Sequence, residues 1–318
     1  MCELKNRILV TGANGFIGKH LIKRLLVHSE VVAAVRTDLS RLNYLANTGH
    51  LEVVPVGNLS ETTDWAEALS DIDVVVHLAG RAHQVNENPS KSLELFRRVN
   101  CKASVALLEQ AARSGVKRFI FISSIGVIGN VSGAKPFCEK TQCNPTAAYA
   151  ISKLEAENSL ITLAGELGLE LVIVRPPLVF GHDAPGNFGR LIHLVKRIPV
   201  LPFGLVKNRR SFVSINNLIN FIEVCIEHPN AANELFVIAD EDVISTKDLT
   251  DYLAASLDRT IVQFPFPLSV FRCLLKLVGK ESLAIQLLDN LEVDVTKAKT
   301  LLNWKAIEST KSSLKNIL

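Results

Sequence analysis

Short apolar, β-branched runs recur along the chain at residues 7–11, 31–35, 51–56, 74–78, 119–122, 169–174 and 235–238. Several are apolar at nearly every position and do not alternate, the pattern of strands covered on both faces in a parallel sheet. Between them, apolar residues return at helical spacing over 17–27, 92–114, 147–168 and 216–227. Strand and helix alternate, which predicts an α/β fold with a doubly wound parallel sheet. Beyond Val179-Phe180-Gly181 the pattern loosens, and Pro and Gly become frequent as far as Gly204. The expected partition is a large domain of residues 1–180, to which 209–240 returns, and a smaller, mostly helical C-terminal lobe of 181–208 and 241–318. Residues 264–291 are apolar and include Pro265 and Pro267; they are expected as a core helix of that lobe, because Lys276 and Lys280 do not make the basic face of a membrane-surface helix.

Composition narrows the function classes. The 318 residues are 48% hydrophobic, enough for a large core, and 35 Lys+Arg against 32 Asp+Glu leave a formal net charge of +3. That balance argues against a dedicated nucleic-acid binder. Lys5 and Arg7 precede only a short apolar run, and no stretch of about 18 apolar residues occurs, so neither an export signal nor a membrane span is expected. The six cysteines (Cys2, Cys101, Cys138, Cys143, Cys225, Cys273) are scattered without C-x-x-C or histidine spacing, so no metal site and no disulfide framework is expected. A cytoplasmic protein follows as the expectation.

The first strand runs into Thr11-Gly12-Ala13-Asn14-Gly15-Phe16-Ile17-Gly18. Gly12 permits a tight turn, Gly15 lets the backbone approach a pyrophosphate, and Gly18 lets helix and strand pack closely. The helix start then offers free N–H groups and a positive dipole end to phosphates. The G-x-x-G-x-x-G spacing resembles the short-chain dehydrogenase/reductase superfamily, and Thr-Gly-x-x-Gly-Phe-Ile-Gly resembles its extended branch. The resemblance implies a Rossmann-type sheet and an NAD or NADP site walled by Gly12, Asn14, Gly15, Phe16, Ile17 and Gly18. An acidic residue usually ends the second strand of an NAD enzyme. Here Val35-Arg36 ends it, with Asp38 just beyond, so Arg36, with Arg41 in support, leans the reading toward NADP. Asn58-Leu59 resembles the family's adenine-contacting Gly-Asp-Leu turn. His77-Leu78-Ala79-Gly80 resembles its turn beside the nicotinamide ribose, which implies Leu78, Ala79 and Gly80 in cofactor binding.

Tyr149 and Lys153 stand at i and i+4 and so share a helix face. A phenol with a pKa near ~10 must lose about 3 units to act as a base near neutrality, and a lysine cation with an oxidised nicotinamide can supply that field. Ser123-Ser124 at a strand end, and Glu139 and Pro145 ahead of Tyr149, complete the resemblance. It implies Ser124, Tyr149 and Lys153 as catalytic residues, Ser124 and Tyr149 on the substrate, Lys153 also on the cofactor, and Asn100 supporting the active-site helix beside the cofactor. Ile128 replaces a tyrosine common in the family.

Arg175-Pro176 through Gly181 resembles R-P-x-x-V-Y-G-P of nucleotide-sugar epimerases and dehydratases. Asn187 falls where that family contacts the substrate diphosphate. Arg209-Arg210-Ser211-Phe212-Val213-Ser214-Ile215-Asn216-Asn217-Leu218 resembles R-D-F-V-H-V-D-D-L, which implies Arg210 as a diphosphate clamp. Ser211, Ser214, Asn216 and Asn217 replace the motif's charged and histidine positions, leaving a polar but uncharged scaffold. A second C-terminal substrate arginine is not placed. Arg81 and His83 follow the fourth strand in a loop that could border the sugar. The dehydratases' Asp-Glu pair is absent from Ser124-Ile125-Gly126, which excludes dehydration. The resemblance implies hydride transfer at C4 of a UDP-sugar, as a UDP-hexose or N-acetylhexosamine 4-epimerase or an NADPH-dependent 4-reductase of a UDP-4-keto-6-deoxy sugar. A non-catalytic NAD(P) sensor and a ketone or steroid reductase are the readings of other classes. A homodimer through the helices at 92–114 and 147–168 is the expected assembly, with no nucleic-acid or membrane partner.

Overall fold

The computed structural model describes residues 6–38, 42, 49–81, 89–315 and 317; Arg41, His83 and Cys2 lie outside them. Strand β1 (Arg7–Thr11) leads into α1 (Phe16–Leu25), followed by β2 (Glu30–Val35), β3 (Leu51–Pro55) and β4 (Val74–His77). Helices α2 (Pro89–Phe96) and α3 (Ala103–Arg113) are joined by a π-helical stretch over Arg97–Lys102. Then come β5 (Arg118–Ile122), α4 (Ala148–Leu167), β6 (Glu170–Arg175), β7 (Leu178–Phe180), α5 (Asn187–Arg197) and β8 (Val200–Leu201). They are followed by β9 (Arg210–Ser214), α6 (Ile215–Glu227), β10 (Glu234–Val237), β11 (Val243–Ile244), α7 (Thr246–Ser256) and β12 (Val262–Gln263). Helices α8 (Leu268–Leu277), α9 (Glu281–Leu288), α10 (Thr296–Leu302) and α11 (Thr310–Lys315) end the chain.

Seven parallel strands form the main sheet in the order β10-β6-β5-β4-β1-β2-β3. The chain winds outward in both directions from the neighbours β1 and β4, so a crevice opens at their C-terminal ends, where Thr11 pairs with His77. Both faces are covered, as the continuous apolar runs require. Ile8 and Val10 pack on one side with α1, α6 and Trp304. Leu9, Phe119 and Phe121 pack on the other with α3 and α4. Helix α4 stops at Gly168, whose φ of +68° a side chain would strain.

Three elements differ from the sequence expectation. The run at 92–114 is helical but not uniformly α, because the π stretch interrupts it. A three-stranded sheet, β11-β9-β7, and the pair β12-β8 lie in the region whose pattern looked loose. Four of these strands have two or three residues, too short to show a period, and the fifth, β9, reads Arg-Ser-Phe-Val-Ser, which is no apolar run. Helix α8 is no core helix, since none of its residues is buried. Leu268, Phe271 and Leu275 lean on a cluster built from Phe188, Phe203, Phe212 and Leu253, while Val270, Leu274 and Leu277 point outward. A sequence apolar on two opposite faces reads as buried whichever face is used. Among the described residues no helix is long and apolar enough to cross a membrane.

Candidate active site

The crevice above β1 and β4 is built from backbone. Gly12 has a φ of +66°, and a Cβ there would lie 2.8 Å from the Ala79 nitrogen. A Cβ on Gly18 would lie 2.8 Å from the Ala13 carbonyl oxygen. The chain can therefore enter α1 so tightly only with glycine at both places. Gly15 is the N-cap of α1 and, among the described residues, no side chain caps it, so the first-turn N–H groups, with Phe16 and Ile17 at the helix start, are available to an anion. Asn14 donates through Nδ2 to the Asp38 carbonyl at 2.7 Å, and its buried Oδ1 has no partner among the described residues. Arg36 ends β2 in solvent, and its carbonyl accepts from Gly57 N at 3.0 Å, which brings Asn58 and Leu59 beside it. A phosphate cradle, a free helix end and an edge carrying Arg36 fit a dinucleotide.

Thr11, His77 and Ser104 form a buried polar chain that sequence reasoning did not pick out. Thr11 Oγ1 accepts from Ala79 N at 3.1 Å and lies 2.7 Å from His77 Nδ1. His77 Nε2 lies 2.8 Å from Ser104 Oγ, and Ser104 donates to the Asn100 carbonyl at 2.8 Å. With Ser104 spending its proton on that carbonyl, the pattern closes if His77 carries its proton on Nε2 and Thr11 donates to Nδ1. Burial, with the Lys153 charge adding to it, pulls His77 down to about 3. The neutral ring thus locks Leu78, Ala79 and Gly80 to the helix that bears Asn100. The one available signal was a histidine closing an otherwise apolar strand.

Asn100 is fully buried within the π stretch. Its Oδ1 accepts from Arg81 N at 2.7 Å, and its Nδ2 donates to the Arg81 carbonyl at 3.2 Å and to Ser152 Oγ at 3.0 Å. A Cβ on Gly80 would sit 3.2 Å from Asn100 Oδ1 and 3.5 Å from Lys153 Nζ. Gly80, Asn100 and Lys153 are therefore brought together.

Tyr149 and Lys153 occupy the first two turns of α4. Lys153 is buried, donates to the Ile122 carbonyl at 2.9 Å, and its Nζ lies 4.4 Å from the centroid of the Phe121 ring. Burial pulls its pKa down to about 8, and the Glu157 carboxylate works in the opposite direction. Glu157 continues the same face one turn on. It holds Arg175 from β6 through Nη2–Oε2 at 2.5 Å and Nε–Oε1 at 3.0 Å, both residues being buried. Tyr149 makes an edge-on contact with Phe96, and burial pushes its phenol up to about 12. Ser124 caps the short 3-10 turn Ile125–Val127, its Oγ accepting from Gly126 N at 3.1 Å, and Gly126 abuts Ala150 beside Tyr149. Glu139 stays out of the site and accepts from Val237 N at the end of β10.

Asn187 and Arg210 stand apart from this group and converge on α9. Asn187 donates to Gln286 Oε1 at 2.5 Å, and the buried Arg210 donates to the Asp289 carbonyl at 2.9 Å. Burial draws the Arg210 guanidinium down to about 10. Arg272 of α8 grips the Asp289 carboxylate at 2.6 Å, so a C-terminal arginine does reach this end. Arg209 faces solvent and pairs with Glu292. The replaced motif is not an uncharged scaffold: Ser214 N and Asn217 Nδ2 both donate to Asp240, and Ser214 Oγ donates to Glu308. The charge that the motif lacks comes from later in the chain.

Residues 8–239 match the model of the NAD dependent epimerase/dehydratase family. The chain is 38% identical over 317 residues to a UDP-glucose 4-epimerase of Vibrio cholerae, covering 98% of this chain and 94% of the relative. It is 25% identical to an N-acetyl-α-D-glucosaminyl-diphospho-ditrans,octacis-undecaprenol 4-epimerase of Escherichia coli O157:H7, covering 87% and 82%. A UDP-glucuronic acid 4-epimerase from Bacillus cereus, crystallised with UDP-glucuronic acid and NAD, shares the fold with a TM-score of 0.79 at 24% identity, covering 98% and 97%.

Proposed function

We propose that this chain, which belongs to the NAD dependent epimerase/dehydratase family, transfers hydride at C4 of a UDP-sugar as a UDP-hexose or N-acetylhexosamine 4-epimerase. The observation that carries the reading is the convergence of Gly80, Asn100 and Lys153, one helical turn from Tyr149 and next to the turn in which Gly12 abuts Ala79. The similarity to the Vibrio cholerae UDP-glucose 4-epimerase supports the substrate class.

In this reading Gly12, Gly15 and Gly18 hold the pyrophosphate of NAD or NADP, Asn58 and Leu59 border adenine, and Leu78 to Gly80 border the nicotinamide ribose. When bound, the oxidised dinucleotide supplies a hydride acceptor and a positive ring charge. Tyr149 takes the proton of the sugar 4-hydroxyl and later returns it. Its phenol at about 12 is a poor base in the bare protein. The Lys153 ammonium, aimed by Ile122 and sustained by Glu157, favours the phenolate. Ser124 hydrogen-bonds the same sugar oxygen. Asn187 and Arg210 hold the diphosphate, which lets a 4-keto sugar present either face while its anchor stays bound. Residues 181–208 and 241–318 act as the substrate lobe, and two copies meet through α3 and α4, where Ile161 is 51% exposed.

Arg36 at the solvent edge of β2 favours one second reading, an NADPH-dependent 4-reductase. The test is to denature the purified protein, identify the released nucleotide by mass, and then incubate fresh protein with UDP-glucose and UDP-N-acetylglucosamine. Retained NAD and appearance of the C4 epimer are the expected result. An empty site that prefers NADPH, with no epimer formed, gives the reading to the reductase.

A further inference from the structure

Most of the large apolar side chains that stay exposed among the described residues fall in two segments, 184–208 and 259–280. The same two segments contain no Asp or Glu and eight Lys and Arg, and all eight are exposed. The fold brings the segments together. Val200 and Val262 are register partners in β8 and β12, and Phe264 N donates to the Leu201 carbonyl. Phe266 then touches Phe271 of α8. Along α8, Val270, Cys273, Leu274 and Leu277 form one stripe at i, i+3, i+4 and i+7, opposite the stripe that leans on the lobe's core. Leu277 is 77% exposed, Val278 65% and Val262 59%. Lys276 and Lys280 do not by themselves make a basic face, but the β8–β12 pairing adds a second segment in which Lys196 and Arg197 end α5 beside Ile198 and Val200. The acids at the border are Asp183, Asp258, Glu281 and Asp289; Asp183 pairs with His182 and Asp289 is held by Arg272.

We propose that this apolar, cation-flanked face of the small lobe docks reversibly on the headgroup region of an anionic lipid bilayer. A bilayer surface offers apolar depth for Phe264, Leu274 and Leu277 and a negative layer for the lysine and arginine heads. A second copy offers the wrong charge, because a two-fold contact sets the same cations against themselves, Arg272 alone among the eight being held by a carboxylate of the described residues, that of Asp289. The geometry is compatible with turnover. Asn187 begins α5 and Arg197 ends it, and a helix of 11 residues is about 16 Å long. The α5 part of the docking face thus lies at the far end of that helix from Asn187, and α8 meets the Arg210 end through Arg272, which is not part of the outward stripe.

The test uses the full chain, free of substrate, with sedimented vesicles of phosphatidylcholine alone or of equal phosphatidylcholine and phosphatidylglycerol. The variants are Leu274→Glu/Leu277→Glu and Lys276→Glu/Lys280→Glu, all at exposed positions outside the reaction site. Binding to the anionic vesicles is expected, weak at 0.5 M salt and weak on phosphatidylcholine, with each variant reducing it at least about tenfold. Turnover of soluble UDP-sugar and the thermal midpoint should stay as in the parent. Absence of binding to anionic vesicles overturns the proposal. So does binding that neither variant alters, and so does a dimer that the variants split while vesicles are ignored. Vesicle binding is read without turnover, so it stands or falls separately from the proposed reaction.

Discussion

Tyr149 sits where its own surroundings oppose its ionisation, since burial pushes it to about 12. A residue kept there is useful only with a cation close by, and Lys153 follows one turn later on the same face. Tyr149→Phe removes the proton carrier and leaves the ring contact with Phe96. Turnover should fall roughly 10²–10⁴-fold, while the nucleotide content measured by mass stays at the parent level. Loss of nucleotide together with turnover would assign Tyr149 to binding. Gly18 tests the cradle separately. A methyl group there meets the Ala13 carbonyl oxygen at 2.8 Å, and backbone cannot step aside as a flexible side chain does. Gly18→Ala should cost about 1–3 kcal/mol in stability and weaken dinucleotide binding by at least about tenfold, as read by calorimetric titration. These residues were legible because each belongs to a local string whose spacing carries its geometry. Thr11, His77 and Ser104 were not, because their chain joins positions 66 and 27 residues apart.

The central elements were legible from period alone. The seven sheet strands lie within two residues of their apolar runs, and α1, α4 and α6 do as well, because a buried parallel strand and a long helix each carry several repeats of their pattern. The π stretch at Arg97–Lys102 was invisible, since a change of phase confined to about one turn cannot be told from an irregular position in a short amphipathic pattern. Asn100, which reaches Gly80 and Ser152, lies within it. Helix α4 likewise carries more than Tyr149 and Lys153. Glu157 sustains the Lys153 charge and is itself held by Arg175. Glu157→Gln leaves the Arg175 guanidinium without its counter-charge in the interior and should cost about 3–5 kcal/mol, measured by urea unfolding. The same change removes what raises Lys153, so the ammonium should titrate below about 8. The double change Glu157→Met/Arg175→Met should restore most of the stability without restoring that titration. If stability stays low in the double variant, the pair is not the cause.

At the scale of the molecule, the C-terminal segment is sewn to the main sheet at one buried carboxylate. Asp240, just past β10, accepts from Ser214 N at 2.9 Å, Asn217 Nδ2 at 2.7 Å and Thr310 Oγ1 at 2.9 Å, so β9, α6 and α11 meet on it. Burial pushes Asp240 up to about 6, outweighing the three hydrogen bonds that pull it down, and the Glu308 charge nearby adds to the rise. A carboxyl whose folded pKa lies above its unfolded value binds its proton more tightly in the folded chain. Between about pH 4 and pH 6 the native state therefore holds more protons than the unfolded state, and unfolding free energy falls as pH rises through that window. From 3.8 to about 6 the group's share is roughly 2–3 kcal/mol. Asp240→Asn keeps the shape and an acceptor but does not titrate. The free-energy difference between parent and variant, from urea unfolding at pH 4 and pH 7, should favour the parent at pH 4 by that amount more than at pH 7. A difference that is flat with pH would mean that Asp240 is ionised throughout, and that its three donors outweigh the burial that surrounds it.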